Sequence, residues 1–199
     1  MNNIAILTSG LSRGSNFESI ANFFKDRDDV NISFVLITRK KAPIIQRCEK
    51  FGIPHFFIST KNYELFEENL LKKIKKEKIT LIVLAGFMRK LSENFIKNSV
   101  PIINIHPALL PKFGGKNMFG SAVHKAVFNA KEKESGVTVH LVNDNYDSGK
   151  ILNQQKINIS DCSNPEEIGK RVLELEHQIY PETIEKICNG EIKLNFQRK

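Results

Sequence analysis

Asn104 and His106 stand two residues apart in Pro-Ile-Ile-Asn-Ile-His-Pro (Pro101–Pro107), at the end of an apolar run. Residues two apart in a strand point to one face, so a carboxamide and an imidazole project together, with Ile105 opposite. Pro107 keeps His106 out of helical geometry and helps to end the element. An amide donor beside a titratable ring can hold and protonate an oxygen that turns negative, which is the chemistry of acyl transfer. A satisfied structural histidine is the competing explanation. A carboxylate follows downstream. Asn143–Gly149 is a polar loop between two apolar runs, and Asp147 or Asp144 within it can return toward His106. A carboxylate beside an imidazole raises its pKa, which predicts a His106 ring held protonated near neutral pH. A solvated turn aspartate is the plainer alternative.

Two other stretches end in residues suited to ligands. Ser9–Asn16 reads Ser-Gly-Leu-Ser-Arg-Gly-Ser-Asn. Gly10 and Gly14 allow a tight turn, and Ser15 and Asn16 open a helix whose free N–H groups attract an anion. Ser15 with Glu18 three residues on predicts a capping box. The loop is either a phosphate cradle or an ordinary glycine turn with a good cap. It lacks the lysine-serine ending of triphosphate loops and is not G-x-G-x-x-G. Ala85–Leu91 reads Ala-Gly-Phe-Met-Arg-Lys-Leu, an oily slot with a cation at its rim. That suits a flat heterocycle with an anionic tail; core residues plus a surface arginine is the alternative. No serine, threonine or cysteine lies in a nucleophile motif, so direct transfer between two bound substrates is expected rather than a covalent acyl-enzyme.

The elements that must position these groups alternate. Apolar runs Asn3–Gly10, Val30–Thr38, His55–Ser59, Ile79–Phe87 and Val100–Ile105 read as strands. Between them, helical spacing places Phe17, Ile20, Ala21 and Phe24 on one face, and Phe66, Leu70 and Ile74 on another. A helix with Pro43 near its start and Gly52 past its end lies between the second and third strands, and Ser121–Lys131 is a further helix. Such alternation predicts an α/β fold: a mostly parallel, twisted, Rossmann-like sheet with helices on both faces. The last third differs. Gly136–Asn143 and Lys150–Ile159 read as two strands, an antiparallel extension. A long final helix starts at Asn164 and Pro165, is kinked or broken at Pro181, and ends at Gly190. One domain over 1–199 is expected, since no linker, repeat or change of composition divides the chain.

Composition narrows the function. The chain is 41% hydrophobic and 26% charged, and no apolar run approaches the roughly 20 residues of a membrane span. The net charge of +8 permits anionic partners. Most lysines sit on amphipathic stretches, and no aromatic-basic interleaving points to nucleic acid. Anionic small molecules are the expected partners, with neither nucleic acid nor membrane. Three scattered cysteines, Cys48, Cys162 and Cys188, show no metal-ligand spacing. They predict reduced thiols in a cytoplasmic compartment and no metal.

Asn104–Lys116, Leu84–Leu91, Gly136–Leu152 and Leu175–Pro181 together resemble, in order, the formyltransferases that use 10-formyltetrahydrofolate. Ser9–Asn16 resembles the phosphate loop of the branch that formylates 5-phosphoribosylglycinamide, although Leu11, Ser12 and Arg13 lengthen it. The resemblance implies that the substrate amine attacks the formyl carbon of 10-formyltetrahydrofolate, a co-substrate, without a metal. It implies that Asn104 binds the oxyanion, His106 donates the proton, and Asp147 keeps His106 protonated and oriented. Gly14, Ser15 and Asn16 would hold the ribose phosphate, and Glu176 would fix the amine; in the lengthened loop, which departs from the family pattern, Arg13 is expected to add a phosphate contact. Met88, Arg89, Lys90 and Leu91, with Asn104, would border the folate. His140 and His177 also match, as supporting residues; His55 and His124 are given no role. The chain would act as a monomer or homodimer. Relatives acting on sugar nucleotides or charged transfer RNA, and a formyltetrahydrofolate hydrolase, are the alternatives. The extra domains they carry are not expected here.

Overall fold

The central apolar runs become strands whose side chains are buried on both faces, while the strands at the two edges stay partly exposed. The structure is a computed structural model and describes residues 1–11 and 14–194. The chain runs β1 (Asn2–Thr8), α1 (Ser15–Phe24), β2 (Val30–Ile37), α2 (Ile44–Lys50), β3 (His55–Phe57), α3 (Tyr63–Lys76) and β4 (Leu81–Leu84). It continues through α4 (Glu93–Asn98), β5 (Ile102–His106), α5 (Ser121–Asn129), β6 (Glu134–Leu141), β7 (Ile151–Asn158) and α6 (Pro165–Cys188). The strands form one seven-stranded sheet in the order β3-β2-β1-β4-β5-β6-β7. β1 to β5 pair in parallel, whereas β6 runs antiparallel to β5, and β7 to β6. This is the α/β fold with an antiparallel extension that the alternation predicts.

Period two sorts the core into two layers. Ile4, Ile6, Val83, Ile103, Ile105, Val137 and Val139 pack with α1, α2, α5 and α6 on one face. Ala5, Leu7, Ile82, Leu84 and Ile102 pack with α3 and α4 on the other. Phe17, Ile20 and Phe24 are buried as their helical spacing predicts, each contributing about 1.5–3 kcal/mol. After β3 the chain crosses back to β4 on the far side of β1. Open sheets bind ligands in the crevice at such a reversal, beyond the carboxyl ends of the strands.

Several local expectations are corrected. The Ser15–Glu18 capping box does not form. Gly14 is the N-cap at φ 78 with no side-chain cap, and Glu18 pairs with Arg47 and Lys50 instead. A left-handed cap leaves the Ser15 side chain free of the helix end. The fourth strand stops at Leu84, short of the apolar run, because Gly86 turns the chain at φ 72. The fifth strand starts later than Val100 and includes His106. The short α4 was not expected; Ser92 caps it by accepting from the Phe95 N–H at 3.0 Å, and the buried Glu67 grips Ser92 in turn. Pro181 does not break α6, which continues to Cys188. One backbone bond is lost, but buried Ile179, Tyr180 and Ile184 hold both sides of the proline on the sheet.

Candidate active site

Asn104 and His106 alternate with Ile103 and Ile105, whose side chains fill the α1/α6 layer. They therefore project from the opposite face. β6 brings its own polar pair there, since the antiparallel register sets His140 opposite Asn104 and Thr138 opposite His106. Among the described residues no helix covers this part of the sheet. Two loops do: 107–120 after β5 and 142–150 after β6.

Thr138 anchors the first loop by donating to the Ala108 carbonyl at 2.6 Å and accepting the Leu110 N–H at 3.1 Å. The second loop carries Asp147 over the site at φ 51, a left-handed conformation that costs a non-glycine residue roughly 1 kcal/mol or more. Its Oδ2 accepts the Gly115 N–H at 2.9 Å, joining the two loops. The same oxygen lies 3.6 Å from His106 Nδ1, and Oδ1 lies 3.6 Å from His140 Nε2. Asp147 is thus the carboxylate that returns to His106; Asp144 is exposed and outside the cavity.

Hydrogen bonds fix the tautomers. His106 Nε2 sits 2.8 Å from the Phe113 carbonyl, which can only accept, so Nε2 carries a proton. His140 Nδ1 faces the Leu141 carbonyl at 2.8 Å by the same logic. Its Nε2 then accepts from Asn104 Nδ2 at 3.3 Å, leaving the second Asn104 N–H for a ligand.

The expected charge state of His106 is corrected. Burial pushes its pKa below the ordinary value and outweighs the lift from Asp147 and the Phe113 carbonyl. The ring is mainly neutral at pH 7. Asp147 is penalised by burial too, yet it stays below the usual carboxylate range, with the Gly115 N–H donating to its charged form.

These groups open into a cavity of about 560 Å³ that passes the tips of β4 and β5 and reaches both faces of the sheet. On the α1/α6 side the wall is Gly14, Ser15 and Asn16 at the α1 N-terminus, with Glu176 and Leu173 on α6. Gly14 must be glycine, since a Cβ there would come within 2.7 Å of Ile44. Asn16 does not point its amide at the anion nest; Nδ2 donates to Glu176 Oε2 at 2.7 Å. Glu176 is buried, which pushes its carboxyl up to about 7 despite that bond. On the other side Met88, Arg89, Lys90 and Leu91 line the cavity. Leu91 is a buried core residue, while Met88 is exposed with Phe119 and Tyr146 at an oily mouth.

Every residue expected to act in the chemistry or to touch a substrate therefore meets at one cavity, apart from Arg13, which lies outside the described residues. His177 does not line it. His124 does, although no role was expected for it; a single histidine on a helix carries no spacing signal. Thr138 and Gly115 were also missed, although the alternation of Thr138 and His140 with Val137 and Val139 is a readable period-two signal. Among the described residues no three His, Cys, Asp or Glu side chains group as a metal ion requires.

The fold, with a carboxamide, imidazole and carboxylate at the crevice, defines an acyl-transfer protein, and comparison makes the class specific. A family model described as formyl transferase matches residues 2–184, so the chain belongs to the formyl transferase family. Phosphoribosylglycinamide formyltransferase of Bacillus subtilis strain 168 is 35% identical over 192 residues, covering 94% of this chain and 95% of that protein. The chloroplastic enzyme of the same name from Arabidopsis thaliana is 36% identical over 96% of this chain, which spans 66% of that longer protein. Among solved structures, phosphoribosylglycinamide formyltransferase from Coxiella burnetii, in complex with CHES, aligns at TM-score 0.87 and 35% identity, covering 98% of this chain and 92% of that one.

Proposed function

We propose that the chain, acting as one domain over 1–199, transfers the formyl group of 10-formyltetrahydrofolate to the amine of 5-phosphoribosylglycinamide. One observation carries this: a single cavity joins an anion nest at the α1 N-terminus to the Asn104–His106–Asp147 cluster and then to the oily slot at Met88, in a chain that belongs to the formyl transferase family. The nest suits the phosphate, the buried Glu176 the amine side, and the slot, with Arg89 and Lys90 at its rim, a folate with an acidic tail.

The amine nitrogen attacks the formyl carbon, and the carbonyl electrons move onto oxygen. The free Nδ2–H of Asn104 donates to that oxygen. His106, neutral before the reaction, is drawn toward protonation as negative charge grows beside it, in the same sense as the pull of Asp147. The bond from the formyl carbon to N10 then breaks. N10 takes up one proton and the former amine gives one up, so protons balance. No covalent enzyme intermediate and no metal is required. The three free thiols suit a reducing, cytoplasmic setting.

The test is direct. Purified protein with both substrates should consume formyl folate and form the N-formyl product. His106→Ala should lower kcat by 100-fold or more while both substrates still bind. Turnover at wild-type rate in that variant would remove His106 from the chemistry, and no turnover by the wild type would end the proposal.

A further inference from the structure

His124 is an imidazole at the cavity wall that the mechanism above does not use. It lies on α5, with Val123 and Val127 beside it in the core. Its Nδ1 is fully buried and, among the described residues, has no hydrogen-bond partner. A proton stranded there would be an orphan donor, which folded proteins avoid more strictly than an under-used acceptor. The proton therefore sits on Nε2. Burial keeps the ring from taking a second one. His124 is thus a neutral ring with one N–H to give.

A second observation points to the same edge of the ring. Gly169 lies one turn inside the N-terminal end of α6, within the helix proper, where glycine is among the least favourable residues. A Cβ on Gly169 would come within 3.0 Å of His124 Cδ2 and 3.4 Å of Nε2. The Cδ2–Nε2 edge therefore lies over this glycine, and Gly169 itself lines the cavity. Gly169, Leu173 and Glu176 follow one another at i, i+4 and i+7, which is one face of the helix. That face belongs to the side holding the α1 N-terminus, not to the Met88 side. The helix gives up a better residue at the place where the ring is seated.

We propose that His124 donates from Nε2 to an uncharged oxygen of the phosphorylated amine substrate, a ribose hydroxyl or the amide carbonyl, and that Gly169 is kept small to seat the ring. Both ends of the contact are neutral, so the residue contributes to recognition of the amine substrate rather than to the charge that develops in the transition state. The inference rests on the proposed formyl transfer.

Steady-state kinetics of the full chain with both substrates varied test it. His124→Phe keeps the volume and removes the donor. The KM for the phosphoribosyl amine should rise about tenfold, the scale of one hydrogen bond to an uncharged group, with the folate KM within twofold. His124→Gln, which restores an N–H near the Nε2 position, should recover part of the loss. Gly169→Ala should raise the thermal midpoint or leave it unchanged, yet increase the amine KM. The same change in a His124→Ala background should leave the amine KM where His124→Ala alone puts it. An unchanged amine KM in His124→Phe, a rise in the folate KM instead, or a glutamine no better than phenylalanine would each overturn the assignment. Wild-type turnover is measured alongside. Its absence would bring down the formyl-transfer proposal and this one with it, whereas normal turnover with an unmoved amine KM brings down only the role of His124.

Discussion

Glu176 carries its carboxyl proton up to about pH 7 because α6 buries it beside only one donor, Asn16. The folded chain keeps this proton where an unfolded chain, with an ordinary value of 4.5, has already lost it. Stability from this group is complete below 4.5 and falls as pH rises toward 7, by roughly 3 kcal/mol in total. Glu176→Gln, which still accepts from Asn16, should match the wild type at pH 4 and exceed it at pH 8, as read by urea melts at the two pH values. His106 gives a second residue-scale test. Its imidazole should titrate below 6.5 by NMR, since burial lowers it, and Asp147→Asn should lower it further by removing the charge that lifts it. The same variant should reduce kcat at least tenfold. Asn104 and His106 were legible because strand periodicity makes a pair of them. The charge on His106 was not, because it depends on how deeply two loops bury the ring, and no local spacing encodes that.

At the scale of elements, the site depends on how β6 and β7 lie against β5. Gly149 has the Leu141 carbonyl where its Cβ would be, at 1.7 Å, and Gly136 has the Gln155 carbonyl at 2.2 Å. The Leu141 carbonyl also receives His140 Nδ1, which faces Asn104 through its other nitrogen. Gly149→Ala should therefore displace Leu141 and lower kcat through Asn104 and Asp147, with circular dichroism reporting an intact sheet; Gly136→Ala should destabilise the β6–β7 pair and lower the melting temperature. The extension itself was readable from two apolar runs flanking a polar loop, although its antiparallel sense stood only as an expectation until the pairing was seen. The α1 cap was misread for a physical reason. Ser15 and Glu18 have the spacing of a capping box, but Gly14 takes the left-handed cap position and Arg47, distant in sequence, claims Glu18. Pro181 does not break α6, because tertiary contacts that no local rule counts hold the helix together around it.

Over the whole molecule, surface pairs such as Lys73–Glu77, Lys112–Glu132 and Lys156–Glu134 cancel internally, and the excess of basic over acidic residues leaves the net +8. That excess gives a positive field suited to the phosphorylated and polyacidic substrates proposed above. The ratio kcat/KM should therefore fall as salt rises from 50 to 500 mM, with kcat little changed, because steering is screened beyond a Debye length of about 10 Å at 0.1 M. Tyr180 ties the molecule together at the crevice, its buried hydroxyl donating to the Leu84 carbonyl at 2.7 Å, so that α6, which carries Glu176, is fixed to the end of the strand that precedes the oily slot. The convergence of distant segments was legible only as a consequence of parallel topology. Which loops roof the site, and from which face, follows from the reversed β6 and from the absence of a helix above it. The Asp147–Gly115 hydrogen bond means that the carboxylate proposed to serve the reaction also fastens one loop to the other. In a chimera, transplanting the 107–120 segment from a relative while leaving 142–150 native would give a protein that folds but is sluggish, and restoring the matched donor segment would recover it. The two stretches, separated in the sequence by α5 and β6, would have to be exchanged as a single heritable unit.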